Sequence, residues 1–288
     1  MRRIGAHLSI SGGLAQAVAR TVEIGGNALQ IFSSSPRMWL AQLPKKEEVD
    51  KFTGQCRQHD IRPVFIHAKY LINLGSPEPS LVEKSINSLK YDLKVAGLIK
   101  AEGVIVHLGS HLGRGFEMIR EQLIRSINNI LQVSPAGVEL IIENSAAQKG
   151  KLCSRLEEIS LLLQAVDSLK FGWCFDTCHG FNAGYSLGKS WGNHLIHFDT
   201  VKEIKKLNLL KDLKCLHVND SRDEFNSGHD RHENLGQGRM GLKLLKEYVN
   251  QPELNHLPLI IETPGFDKKG PDKKNLDILK SLIDEKNR

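Results

Sequence analysis

Eight short apolar runs, each followed by a segment of helical periodicity, limit the folds open to this 288-residue chain more than any other feature. The runs are Ile4 to His7, Ala28 to Phe32, Pro63 to His67, Gly103 to His107, Val138 to Glu143, Phe171 to Phe175, Leu213 to Val218 and Pro258 to Glu262. Largely apolar strands of this length belong to sheets covered on both faces, which is the condition of a parallel sheet wrapped by helices. Between them, residues 81–99, 116–131, 156–166 and 242–249 place apolar side chains three and four apart and supply the covering layer. Ser80 and Glu83 have the spacing of a capping box at the start of the first of these segments. Eight such repeats in under three hundred residues suit a closed α/β barrel, (β/α)8, better than an open doubly wound sheet. Glycine- and proline-rich pieces such as Gly75 to Pro79 are short loops rather than linkers, so one domain over residues 1–288 is expected.

Most of the runs finish on a group able to bind a metal. These are His7, His67, His107, Glu143, Asp176, His217 and Glu262. In a parallel barrel every strand's C-terminal end opens on the same face, so residues far apart in sequence converge there. A single histidine at a strand end is commonly a hydrogen-bonded structural residue, and a glutamate there can cap a loop. That explanation has to recur at nearly every strand to account for the whole set. Two local pairs add to it: Asp176 and His179 across a turn, and Asp230 and His232 in GHDRHENLGQG, where residues two apart on an extended chain face the same side. Leaving His7, His111 and His229 as structural or supporting residues gives nine candidate ligands: His67, His107, Glu143, Asp176, His179, His217, Asp230, His232 and Glu262. Imidazole and carboxylate donors fit Zn²⁺, with Mn²⁺ or Fe²⁺ as competitors, better than Mg²⁺ or Ca²⁺. Nine donors exceed one tetrahedral ion and suffice for two or three. Paired ions favour phosphate-ester hydrolysis, because they acidify water and clamp the attacking and leaving oxygens.

Composition bears on what such a site would meet. A formal charge of +6 is compatible with a polyanionic partner, although many of the lysines, such as Lys268, Lys269, Lys273 and Lys274, belong to an ordinary solvated surface. Five cysteines, odd in number and never spaced CxxC, argue against a disulfide framework and for a reducing compartment; Cys174 and Cys178 read as packed residues rather than thiolate ligands. Polar residues interrupt the apolar segment that a signal peptide would need after Met1-Arg2-Arg3, and no apolar run approaches membrane-spanning length. A cytoplasmic protein without membrane contact is expected.

The blocks GAHLSISGG, HAKYLINLGSP, VHLGSHLG, IIENSAAQ, FDTCHGFNAGY, HVNDSRDEFNSGHDRHENLGQG and IIETPG, in this order and over nearly the full length, resemble the endonuclease IV family of apurinic/apyrimidinic (AP) endonucleases. The resemblance implies a TIM barrel of the xylose-isomerase-like kind holding three zinc ions. It assigns His67, His107 and Glu143 to the first ion, Glu143, Asp176, His217 and Glu262 to the second, and His179, Asp230 and His232 to the third, with Glu143 and Glu262 at the chemistry. The implied reaction is hydrolysis of the phosphodiester 5′ to an abasic site in double-stranded DNA, leaving a 3′-hydroxyl, together with trimming of blocked 3′ ends by a monomer. It further implies that Arg37, Tyr70 and Leu71 enter the duplex beside the lesion; from the residues alone, Tyr70 and Leu71 could equally anchor their own loop. Three residues depart from the family's pattern. Ala147 stands where glycine is usual, Lys149 interrupts a run of small residues, and Pro36 stiffens the loop carrying Arg37. Two rival functions are a sugar isomerase on the same barrel, which needs no third ion, and a noncatalytic DNA-damage binder, which needs no activated water.

Overall fold

The computed structural model describes residues 2–39, 42–188 and 199–285. The first half alternates strand and helix: β1 (Ile4–His7), α1 (Leu14–Glu23), β2 (Ala28–Phe32), α2 (Lys46–Gln58), β3 (Val64–His67), α3 (Pro79–Ile99), β4 (Gly103–Val106) and α4 (Phe116–Leu131). The second half continues with β5 (Glu139–Glu143), α5 (Leu156–Val166), β6 (Phe171–Asp176), α6 (Thr177–Asn182), α7 (Thr200–Lys206) and β7 (Leu213–His217). A short antiparallel ladder, β8 (Asp220–Ser221) with β9 (His232–Glu233), precedes α8 (Gly241–Val249), β10 (Leu259–Ile261) and α9 (Lys273–Leu282). Eight parallel strands close in the order β1-β10-β7-β6-β5-β4-β3-β2. This is the (β/α)8 barrel expected from the repeat. No helix among the described residues is long and apolar enough to cross a membrane.

The core has two shells because each strand presents alternate residues to opposite faces. Outward-facing residues such as Leu29, Ile66, Val104, Leu140 and Trp173 form one continuous cluster with the buried faces of the helices. Inside the barrel, Ala28, Phe65, Ile105, Ile141, Cys174, Cys215 and Ile260 form a separate apolar plug. Two residues further along these strands and on the same face stand Gln30, His67, His107, Glu143, Asp176, His217 and Glu262. The polar rim therefore follows from the apolar floor by strand period alone. All five cysteines are free, and Cys174 and Cys215 lie in the floor as packing residues.

The boundaries of α4 and α5 are those of the amphipathic segments. Helix α3 differs. It begins at Pro79, with Glu78 at the N-cap and no side-chain capping bond, and Ser80 turns its hydroxyl to Glu78 instead of closing a box with Glu83. Proline needs no N–H at the first helical position and its φ is already helical, so it moves the start ahead of Ser80.

Gly5 sets how closely β1 and β2 approach. A Cβ there would lie 1.8 Å from the Ala28 carbonyl oxygen, a backbone atom in a ladder that cannot turn aside. Gly5→Ala is expected to lower stability by about 3 kcal/mol, at the upper end for overpacking, read as a fall in the urea midpoint at unchanged slope. A loss below about 1 kcal/mol would mean that these strands separate without penalty.

Candidate metal centre

Glu143, at the end of β5, is fully buried and is the meeting point of the rim. Its Oε2 lies 3.1 Å from His67 Nε2 and 3.2 Å from His107 Nε2; its Oε1 lies 2.9 Å from His217 Nδ1 and 3.3 Å from His179 Nδ1. Burial alone would raise this carboxyl's pKa, but His107, His217 and His179 hold it well below the usual carboxylate range. The same balance lowers Glu262, where burial is overcome by His217 and His7, and Asp230, where it is overcome by His179 and His232. Burial opposes charge on His179 and His217, yet their carboxylate neighbours raise both well above the ordinary imidazole value. At Asp176 burial prevails and the pKa rises; at His107 it prevails in the other direction, lowering the imidazole to about 4.

The imidazoles are oriented from behind. His67 donates from Nδ1 to the Ala68 carbonyl at 2.8 Å, and His217 donates from Nε2 to Gln30 Oε1 at 2.8 Å. His179 donates from Nδ1 to the Asn144 carbonyl at 3.1 Å, and His232 from Nδ1 to the Glu262 carbonyl at 3.3 Å. Each bond occupies one ring nitrogen and aims the other at a carboxylate or a second imidazole. At about 3 Å such a pair needs positive charge between its atoms, supplied either by a proton, which is why the carboxylates raise His179 and His217, or by a metal ion in its place; donors aimed at one another in this way fit a divalent metal.

Donor atoms of His67, His107 and Glu143 fall within 4.8 Å of one another, as do those of Glu143, Asp176, His217 and Glu262. The remaining candidates also converge. His179 Nε2 lies 3.0 Å from Asp230 Oδ1 and 3.3 Å from His232 Nε2, and His232 Nε2 lies 3.5 Å from Asp230 Oδ1. All nine expected ligands thus meet on one rim, with Glu143 common to the first two groups. His7 is a supporting residue: its Nδ1 accepts from Gln30 Nε2 at 2.9 Å and lies 3.4 Å from Glu262. His111 is structural, its Nδ1 accepting from the amides of Gly113 and Gly115.

Three contributors are not among the expected residues. Gln30 bridges His217, His7 and Glu262. Asn219 donates to Asp176 Oδ2 at 2.6 Å and accepts from the Glu262 amide, so one side chain fixes two strand ends. Asn144 accepts from the Asp176 amide and returns a bond to the Asp176 carbonyl. Gln30 is legible in principle as the residue two beyond Ala28; the asparagines give no signal beyond lying one or two positions after a ligand.

Above the rim opens a cleft of about 1360 Å³. Tyr70 stands on its wall, 72% exposed, with its ring 5.4 Å from that of Phe32. Leu71 is partly buried and does not line the cleft. Arg37 is exposed in the turn closed by the Met38 amide on Ser35, next to the cleft-lining Pro36. Lys149 is exposed in the loop after β5. In that loop Ala147 adopts φ +62°, the left-handed conformation that a glycine takes without strain.

Gln30→Leu removes the acceptor that orients His217 and should weaken zinc binding about 10- to 100-fold, read by competition with a chromogenic chelator. Ala147→Gly should raise stability by about 0.5–1 kcal/mol, the relief of left-handed strain less glycine's entropy in the unfolded chain. A urea midpoint that falls on making this change would show that the loop is not strained at this residue.

Residues 18–282 match the family model described as xylose isomerase-like TIM barrel. The chain is 36% identical to the probable endonuclease 4 of Halothermothrix orenii over 279 residues, 96% of this chain and 99% of that protein. Identity to the probable endonuclease 4 of Chloroflexus aggregans is 36% over 285 residues, 98% of each. Among solved structures, endonuclease IV of Thermus thermophilus superposes with a TM-score of 0.83 at 33% identity, covering 97% of this chain and 98% of that one. A 3-keto-D-glucoside 4-epimerase from E. coli superposes with a TM-score of 0.70 over 98% and 99% of the two chains, but at 12% identity it shares the fold alone. More than a third of the residues are shared along almost the whole length of proteins of one kind, and on that ground this chain belongs to the endonuclease IV family within the xylose isomerase-like TIM barrels.

Proposed function

We propose that this protein is a zinc-dependent AP endonuclease of base excision repair, hydrolysing the phosphodiester 5′ to an abasic site in duplex DNA and trimming blocked 3′ ends. The observation that carries this reading is the convergence on Glu143 of two donor groups sharing that carboxylate, with a third group beside them on His179. Three zinc ions, with Mn²⁺ as a substitute at some positions, fit these donors: one on His67, His107 and Glu143, one on Glu143, Asp176, His217 and Glu262, and one on His179, Asp230 and His232. The chemistry the ions supply when bound is Lewis acidity, which acidifies water and neutralises charge on the phosphate oxygens.

The protein's own residues divide the work. Glu143 is fully buried and holds the rim together, whereas the Glu262 side chain is 16% exposed toward the cleft, where it can meet a reacting phosphate. Gln30 donates to Glu262 Oε1, which fixes the orientation of the carboxylate at the rim. The cleft exceeds the roughly 300–1,000 Å³ typical of small-molecule sites and so favours a macromolecular substrate. An abasic nucleotide is inexpensive to turn out of a duplex because its base pair is already lost, and Tyr70 offers the exposed ring that a wedge at the lesion requires. Arg37, exposed beside the cleft-lining Pro36, offers a cation for a phosphate, and Leu71 follows Tyr70 in the same loop. A sugar-isomerase reading rests on the shared barrel alone and gives no use to His179, Asp230 and His232 together.

The test is a duplex carrying one tetrahydrofuran residue. Metal-replete protein should nick it once, on the 5′ side, leaving an end that a polymerase extends, and prolonged chelation should abolish the nick. Glu262→Gln should bind the duplex as the wild type does and cut it at least about 100-fold more slowly, the scale of losing one group that acts at the reacting phosphate. An uncut duplex after incubation with zinc, or wild-type kinetics in the variant, would refute the assignment.

A further inference from the structure

Beside the cleft, and outside the metal-binding rim, lies a second buried charge pair. Lys69 and Asp92 are 3.1 Å apart, with side chains 1% and 0% exposed. Lys69 Nζ also donates to Ser88 Oγ at 3.3 Å and lies 4.8 Å from the centre of the Tyr91 ring. Asp92 Oδ1 accepts a second bond, from Ser33 Oγ, while its Oδ2 has no hydrogen-bond partner among the described residues. Removing two charges from water costs about what their attraction returns, so a pair of this kind adds little stability and its effect is to single out one arrangement.

The arrangement it singles out involves three elements. Asp92 and Ser88 come from the middle of α3, a rigid helix of 21 residues. Ser33 begins the loop after β2, which leads to Pro36 and Arg37, and Lys69 lies in the loop after β3, immediately before Tyr70. Outside the pair, Phe32 packs its ring against Tyr70 at 5.4 Å and against His67 at 5.9 Å, so the end of β2 also touches the loop after β3. One carboxylate on α3 therefore ties together the bases of the two loops that form one wall of the cleft.

We propose that Lys69 is a positioning residue: its pairing with Asp92 holds the loops after β2 and β3 in the arrangement that receives the duplex beside the lesion. This rests on the proposed action on abasic DNA, and it separates binding from chemistry. With the pair intact, Tyr70 and the Pro36–Arg37 turn are already in place when DNA arrives, so no ordering has to accompany binding. Without it, the nine metal-binding candidates keep their own anchors, which do not include Lys69 or Asp92.

The experiment compares full-length wild type with Lys69→Met and with Lys69→Met/Asp92→Asn, all loaded with zinc. The single variant leaves Asp92 buried without a counter-charge and is the one at risk of misfolding; the double variant removes both charges, keeps the partner of Ser33 and decides the matter. Two readouts are taken on the double variant. Hydrogen exchange at the bonded amides of these two loops, those of Met38, Ile72, Asn73 and Leu74, should accelerate about tenfold or more, while the barrel strands keep their protection. On the tetrahydrofuran duplex, KM should rise about tenfold with kcat held within about twofold, the signature of lost pre-organisation. Unchanged exchange in both loops would overturn the proposal, as would accelerated exchange with an unchanged KM, or a kcat that falls at constant KM. The exchange measurement requires no substrate, so a wild-type protein that fails to cut DNA sinks the functional assignment and still leaves the positioning role to be judged.

Discussion

A carboxylate with no exposure to water, surrounded by four imidazoles within 3.3 Å, is the constraint on which the rest of this molecule depends. Burying Glu143 in ionised form costs several kcal/mol unless positive charge surrounds it, and the histidines can supply that charge only as proton carriers or as ligands of a cation. Three of them are in turn fixed from outside: His67 by a backbone carbonyl, His179 by the Asn144 carbonyl, His217 by Gln30. The bonds behind the rim thus determine what the lone pairs in front of it can do. This is why Gln30, Asn144 and Asn219 matter although none of them is a candidate ligand.

The barrel supplies the geometry with little cost in irregular backbone. Its interior is plugged by Phe65, Ile105, Ile141, Cys174, Cys215, Ile260 and Ala28, so the next inward layer cannot sink and has to face the open end. A strand turns every second side chain to the same face, and the residues two beyond the plug are therefore delivered to one level from strands spread over more than two hundred residues of sequence. The floor excludes water from below, which strengthens every electrostatic interaction above it.

Much of this is legible in the amino-acid sequence. The eight strands and the spans of α4 and α5 are legible because unbroken apolar runs and 3.6-residue periodicity report burial directly. Six of the rim residues are legible because strand ends in a parallel barrel share a face, and His179, Asp230 and His232 because two local pairs, Asp176 with His179 and Asp230 with His232, repeat the same donor types. Other features depend on information that local pattern lacks. The Ser80-to-Glu83 spacing looks like a capping box, but Pro79 competes for the helix start and prevails. Gln30 escapes notice because a neutral amide inside an apolar run reads as a packed residue unless the inward register of β2 is known. Arg37 and Leu71 sit in loops whose path follows from packing against α3 and Phe32, so the resemblance points to their loops without showing that, of the three proposed DNA contacts, Tyr70 alone lines the cleft. The positive φ at Ala147 is hinted at only by the resemblance, through the glycine usual at that place, because an alanine by itself gives no sign of a left-handed backbone.

The third donor group has a different origin from the first two. His67, His107, Glu143, Asp176, His217 and Glu262 all stand at strand ends, but His179 sits on α6 and Asp230 and His232 arrive on the insertion between β7 and α8. That insertion is held by contacts of its own. The Asp220 carboxylate accepts from the amides of Ser221, Gly236, Gly238 and Met240, closing the base of the segment. Asn182, at the end of α6, donates to the His229 carbonyl at 2.6 Å, one residue before Asp230. The helix that presents His179 thus also grips the loop that presents Asp230, so the three donors are positioned relative to one another as well as to the barrel, where the Asn144 and Glu262 carbonyls hold His179 and His232. A barrel of this kind stripped of residues 220–240 keeps the donors for its first two groups and loses the third. The fold therefore accounts for a site with two donor groups; what distinguishes this molecule from a generic metal-binding barrel is carried by one short helix and one loop that it holds.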